Sequence, residues 1–146
     1  MTVIAWDGTT LASDKRAVQA GCCYPVTKIH RVDRDRLLGM AGNLSRGMLV
    51  LAWLRDGKPL ADWPEQKGDD DWVTCLVVHR RGALHRYESR GTPFAVEAMR
   101  HAIGSGRDFA VAGMALGLNA EAAVRLACDH SAECGNGIDT LTFEAP

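Results

Sequence analysis

A threonine placed directly after an initiator methionine can become the first residue of the mature chain. One residue then holds both a nucleophilic hydroxyl and a basic α-amine. The opening Met1-Thr2-Val3-Ile4-Ala5-Trp6 offers this arrangement, and the small side chain of Thr2 suits removal of Met1 by a methionine aminopeptidase. Three other places could serve such a nucleophile. Lys28 lies in Thr27-Lys28-Ile29-His30-Arg31-Val32, whose polar and apolar residues alternate, so its amine could reach the end of a neighbouring strand. Gly42 lies in Met40-Ala41-Gly42-Asn43, where a strand gives way to a helix and backbone N–H groups stand free of a side chain. Ser105 lies between two glycines and exposes its hydroxyl. Each also has an ordinary reading: an edge strand that begins with threonine, a solvated lysine, a glycine that only turns the chain, a common loop.

The elements that would position these residues begin with a hairpin. Asp7-Gly8 suits a two-residue primed turn between Val3–Trp6 and Thr9–Ser13. That register sets Trp6 opposite Thr9, Ile4 opposite Leu11 and Thr2 opposite Ser13, with Asp14 beside the start of the chain. Val18 to Tyr24 reads as one extended piece stopped by Pro25. Thr27–Val32 and Arg36–Ala41 read as strands joined by the charged turn 33–35. Gly42-Asn43 opens a helix with Leu44, Met48, Leu51 and Arg55 at helical spacing, and Gly57 closes it.

Residues 58–71 read as a polar surface connection. Trp72–His79 and Ala83–Glu88 form a second hairpin, which places His79 and His85 on neighbouring strands. Pro93–Ile103 reads either as extended or as one helical turn. Gly104-Ser105-Gly106 leads into a helix from Arg107 to about Leu116. Asn119 caps another from Ala120 to about Ala132, and Ile138–Phe143 is a closing strand. Strands, helix, strands, two helices and a strand suit layered α+β packing, with two antiparallel sheets between helices.

Composition narrows the function. At 146 residues, with 47% hydrophobic and 24% charged residues and a net charge of -1, the chain reads as one soluble domain spanning 1–146. Scattered basic residues balanced by acids argue against a nucleic-acid partner. No apolar run approaches the roughly 20 residues that cross a bilayer, and no secretory leader pattern opens the chain. Cys22, Cys23, Cys75, Cys128 and Cys134 are odd in number and form no C-x-x-C pair, which fits reduced thiols in a cytoplasmic protein and no zinc site.

Taken together, the motifs resemble the proteasome β-subunit and HslV family of N-terminal-nucleophile hydrolases, most nearly its compact bacterial and phage members. The resemblance runs through Thr-x-Ile-Ala with Leu-Ala-Ser-Asp, Thr-Lys-Ile-His-Arg-Val, Leu-Leu-Gly-Met-Ala-Gly and Ala-Ile-Gly-Ser-Gly, and ends in Gly-Asn-Gly-Ile-Asp-Thr-Leu. It implies a four-layer αββα sandwich whose helical layer after the first long helix is reduced, because the connection there is short and rich in proline and aspartate. It implies a threonine endopeptidase without cofactor or metal, in which Thr2 is the nucleophile and Asp14 and Lys28 are its charged partners. Gly42 would supply an oxyanion amide, and Ser105 would support the amine.

The family's C-terminal aspartate falls here on Ser131, with Glu133 and Asp129 as the nearby carboxylates. Only aminopeptidase trimming would be needed for activation. A catalytically silent assembly protein is the other reading. The family habit also implies a homo-oligomeric ring acting on peptides or unfolded protein. Trp53, which falls off the helix's apolar stripe, and Trp63 would be exposed at its contacts, unless the polar connection folds back over both rings, and any unfoldase partner is unspecified.

Overall fold

The computed structural model describes all 146 residues. Its chain order is β1 (Ile4–Trp6), β2 (Thr10–Asp14), β3 (Arg16–Gln19), β4 (Cys22–Pro25), β5 (Ile29–Asp33), β6 (Arg36–Gly42) and α1 (Leu44–Arg55). A single 3₁₀ turn at Leu60–Asp62 follows. Then come β7 (Val73–His79), β8 (Leu84–Tyr87), β9 (Phe94–Val96), β10 (His101–Ile103), α2 (Arg107–Ala115), α3 (Ala120–His130) and β11 (Ile138–Thr142).

Two antiparallel sheets dominate, in the orders β10-β1-β2-β11 and β5-β6-β7-β8-β9. Period-2 alternation decides what each face buries. Ile4, Trp6 and Leu11 pack between the sheets with Ile29, Leu76 and Ile103. Their neighbours Val3, Ala5 and Ala12 point the other way, onto Ala110 and Met114 of α2 and Ala123, Val124 and Ala127 of α3. On the far side, Leu38, Met40, Cys75 and Val77 carry Val50, Leu51 and Leu54 of α1. The result is the expected four layers, helices–sheet–sheet–helix, with one helical layer reduced to a single helix.

The opening hairpin differs from its expected register. Trp6 pairs with Leu11, Ala5 with Ala12 and Ile4 with Ser13. The reason lies in Asp7, whose carboxylate accepts from Thr9 N and Thr10 N (both 2.8 Å) and, across the fold, from Ala120 N at the start of α3 (2.8 Å). An aspartate that caps its own turn in this way widens the loop to four residues. The register moves by two, so faces are kept, and Asp14 N now donates to Val3 O (3.2 Å). Val18–Tyr24 is also not one extended piece. It folds back at Ala20-Gly21 into the ribbon β3–β4. Pro93–Ile103 holds two short strands, β9 and β10, and no helical turn.

α1 presents a different face from the one its spacing suggests. Arg46, Gly47, Val50, Leu51 and Leu54 are buried, whereas Met48 and Leu49 are exposed. Gly47 lets the helix approach the sheet, since a Cβ there would lie 2.5 Å from the Met40 sulfur. The tryptophans overturn an expectation as well. Trp63 is buried and meets Trp53 edge-on (centroids 5.0 Å apart), while stacking on Tyr87 at 5.7 Å. Trp53 Nε1 donates to Pro59 O (3.0 Å) and Trp63 Nε1 to Ser89 O (3.2 Å). The polar connection therefore folds back over both rings and covers the place of a second helix. Neither ring is a bare surface.

Candidate active site

Four segments meet at Thr2. β1 delivers it from the sheet's end, and its side chain is buried with 4% exposure. The next strand, β2, brings Asp14, fully buried. The loop before β5 brings Lys28, 1% exposed, against the same spot. Lys28 Nζ lies 2.9 Å from Asp14 Oδ1, 3.1 Å from Thr2 Oγ1 and 3.0 Å from Met1 O. Three acceptors for three N–H bonds is the complement of an ammonium, since a neutral amine has only two.

Burying an ion pair costs several kcal/mol per ion unless further bonds satisfy it. Here they do. Asp14 Oδ1 also accepts from Val3 N (3.1 Å), and Oδ2 accepts from Arg16 N (3.2 Å) and Gly135 N (3.1 Å). Burial nevertheless holds the Lys28 amine below the ordinary lysine value, with Asp14 pulling the other way. Its proton is easier to release than that of a solvated lysine.

The other predicted residues are placed as follows. Ser105 Oγ accepts from Thr2 N (3.1 Å), and Gly106 N donates to Thr2 O (3.0 Å). Gly42 ends β6 with φ +119°, and a Cβ there would fall 2.5 Å from Trp72 O and 2.7 Å from its ring. Alternate N–H groups of a strand share a side. Met40 N donates to Lys28 O, and Asn43 N to Trp72 O on the opposite side. The Gly42 N–H thus points away from β7, on the side of Lys28, and Gly42 lines both of the cavities that Thr2 lines. Ser131 and Glu133 are not joined to Thr2. Ser131 ends α3 and accepts from Glu133 N (3.2 Å), while the exposed Glu133 lies at the rim of the adjoining cavity. Asp129, near the end of α3, makes no bond to Thr2 either.

Sequence reasoning missed Gly104, Gly135 and Arg16. Gly104 has φ +94° and packs its bare Cα against the Thr2 carbonyl, which no side chain would permit. Gly135, in the Gly-Asn-Gly that the resemblance includes without giving it a role, gives its N–H to Asp14. Arg16 fastens that loop through Asn136 Oδ1 (2.7 Å) and Ala132 O (2.5 Å). The glycine triplet was the one available signal.

No thiol competes as nucleophile. Burial raises Cys134, and Cys128 is pushed up to about 11, so both stay protonated at neutral pH. No group of three or more His, Cys, Asp or Glu residues is arranged to hold a metal ion.

Two cavities share Met1, Thr2 and Gly42. One, of about 540 Å³, runs past Ser105, Trp72 and Arg86. The other, of about 300 Å³, runs past Lys28, Val18, Tyr24 and Leu44.

Compared with solved structures, the chain superposes on eukaryotic HslV from Trypanosoma brucei with a TM-score of 0.74, covering 99% of this chain and 100% of that one at 18% identity. The chain has the HslV fold. Thiobacillus denitrificans BPH, solved in complex with epoxomicin, matches with a TM-score of 0.66 and 19% identity over 99% of each chain. No protein-family model matches the sequence, and no curated protein does. Within this fold, Thr2 lies two residues before the first strand and lines both cavities. No helix is long and apolar enough to cross a membrane.

Proposed function

We propose that the chain is an N-terminal threonine endopeptidase whose nucleophile is Thr2 once Met1 is removed. One observation carries this reading: a buried lysine within hydrogen-bond distance of the Thr2 hydroxyl, itself held by a buried aspartate that is otherwise saturated by backbone N–H groups.

With Met1 gone, the α-amine occupies the position of Thr2 N beside Ser105. Its reference pKa of roughly 7.7–8.0 is lowered further by the Lys28 ammonium, because two cations at short range repel. The free amine takes the hydroxyl proton as Oγ1 bonds to the substrate's carbonyl carbon. The resulting oxyanion faces the Gly42 N–H, and a donor so placed is worth about 3–4 kcal/mol. Collapse breaks the C–N bond, the ammonium gives its proton to the leaving nitrogen, and an ester remains on Thr2. Water, deprotonated by the same amine, attacks the ester carbon; the C–Oγ1 bond breaks, the ammonium returns its proton to Oγ1, and the acid is released. Asp14 keeps Lys28 in place, and no cofactor takes part.

The reading extends to a peptide or unfolded-protein substrate and to a homo-oligomeric ring in the cytoplasm. For the ring, Met48 and Leu49 on the outer face of α1 take the place of the tryptophans as exposed apolar surface. The ring would sequester Thr2 in an inner chamber. A silent assembly protein is the competing reading, favoured by the Met1 carbonyl's occupation of the Lys28 and Thr2 hydrogen bonds.

Intact mass of protein from its native host decides first: loss of one methionine is expected, and full retention overturns the peptidase reading. Epoxomicin, the ligand in the BPH structure, then serves as probe. A stoichiometric mass adduct is expected on Met1-free protein and none on its Thr2→Ala variant. Met1-free protein that forms no adduct and cleaves no peptide is the assembly protein.

A further inference from the structure

The two cavities beside Thr2 are not equivalent, and the reaction direction tells them apart. The leaving nitrogen takes its proton from the Thr2 amine, so the leaving half of the substrate must lie on the amine's side. Thr2 N is bonded to Ser105, which lines the cavity of about 540 Å³ and not its smaller neighbour. The acyl half then lies towards Lys28, Val18 and Leu44.

The leaving-side cavity has an unusual wall. Arg86 of β8 lines it, and its Nε is buried with no hydrogen-bond partner. One guanidinium nitrogen is committed, since Nη2 donates to Glu88 (2.7 Å), whose other oxygen accepts from Thr74 Oγ1 (2.9 Å). Nearby, His101 Nε2 of β10 is a second buried nitrogen without a partner, and it is close enough to feel the Arg86 charge. Arg107 adds a further cation at the cavity, and Glu133 is the one carboxylate lining it. Nε is closed to solvent, so the donor that an incoming acceptor reaches is Nη1 on the part-exposed side chain, which makes no hydrogen bond, and bonding it recovers free energy. An anionic acceptor recovers more than a neutral one.

We propose that this cavity binds the substrate residue immediately after the scissile bond and selects an acidic side chain there, with Arg86 as the recognising group. Aspartate or glutamate would accept from Arg86, while the exposed Trp72 ring forms the apolar wall. Asparagine or glutamine has the same shape and lacks the charge. This inference rests on the peptidase reading for its orientation, and its test separates the two.

Internally quenched peptides that differ only in the residue after the scissile bond (Asp against Asn, Glu against Gln) are compared on Met1-free protein. The acid is expected to raise kcat/KM by about tenfold, the scale of one charge-assisted hydrogen bond. Arg86→Gln should remove the preference, and Arg86→Lys should keep part of it. In parallel, calorimetric binding of the same peptides to the Met1-free Thr2→Ala variant needs no turnover.

Acid and amide peptides that are cleaved or bound equally by the wild-type site overturn the inference and leave the peptidase reading intact. Tighter binding of the acid peptide to Thr2→Ala, lost with Arg86→Gln added, upholds the inference even if no peptide is cleaved. Should Arg86→Gln fail to fold, the wild-type acid-to-amide ratio decides alone.

Discussion

Lys28 and Asp14 form a buried pair, yet removing one partner should cost far more than removing the other. In Lys28→Met the carboxylate of Asp14 loses one donor and keeps three, from Val3 N, Arg16 N and Gly135 N. Those three bonds hold a charge in a buried place, and the methionine side chain fills a similar volume. In Asp14→Asn the damage is of another kind. The amide's NH₂ must face either Lys28 and Val3 N or Arg16 N and Gly135 N, so two donors confront a donor whichever way it turns. With the NH₂ towards Lys28, the lysine is a buried cation holding only Thr2 Oγ1 and Met1 O; turned the other way, it faces a neutral acceptor in place of a carboxylate.

Breaking a buried pair ordinarily costs about 3–5 kcal/mol. Asp14→Asn should reach that range. Lys28→Met should stay near 1–3 kcal/mol, as roughly three-quarters of the carboxylate's bonds survive. A gap of about 2 kcal/mol corresponds to roughly 4–8 °C in Tm for a chain of this size. Differential scanning calorimetry of both variants at pH 7.5 measures it directly. If Lys28→Met melts at or below the Asp14→Asn temperature, the backbone donors do not sustain the carboxylate, and the account of how the site holds its charges is wrong.

Three further outcomes follow from the same geometry. Lys28→Ala should abolish peptide hydrolysis with the fold kept, and Lys28→Arg should not restore it, because a planar guanidinium cannot offer three compact donors within about 3 Å; unchanged turnover in Lys28→Ala would remove the residue from the mechanism. Burial lowers His30, His79 and His101 below the ordinary 6.5, with the neighbouring His85 adding to the effect on His79. Between 6.5 and those lower values the unfolded chain binds more protons, so stability should fall as pH drops through that window, by at most about 1.4 kcal/mol per pH unit for each histidine; thermal melts that are flat from pH 7 to 5.5 would contradict it. Light scattering after size exclusion should find a closed homo-oligomer at tens of micromolar, and a strict monomer would refute the ring.

Much of this was legible in the residues. Gly42-Asn43 reads as the opening of a helix and Asn119 as a cap, and the two asparagine side chains do accept from Arg46 N (3.0 Å) and Ala122 N (2.9 Å). Thr2, Asp14, Lys28 and Ser105 were each singled out, and they meet within hydrogen-bond distances. What escaped has a common cause. The hairpin register turned on Asp7, whose decisive partner Ala120 is 113 residues away. The buried face of α1 includes an arginine and a glycine, and no hydropathy pattern marks those as core. Trp53 and Trp63 were covered by a segment whose composition reads as surface. In each case hydropathy pattern was overruled by a specific contact: the Asp7 carboxylate with Thr9, Thr10 and Ala120, Gly47 with Met40, and Trp53 with Pro59 and Trp63.

The carboxylate of Asp14 is fastened to Val3, Arg16, Lys28 and Gly135, and Thr2 N to Ser105. These bonds join residues up to 121 positions apart. During synthesis Thr2, Asp14 and Lys28 leave the ribosome well before Ser105 and the Gly135 loop that bond to them. A nascent or prematurely ended chain therefore carries Thr2 as an ordinary hydroxyl, with Ser105 and the Gly135 loop yet to come. If the peptidase reading holds, harm to neighbouring proteins is deferred by topology until Ser105 and Gly135 have been made and folded.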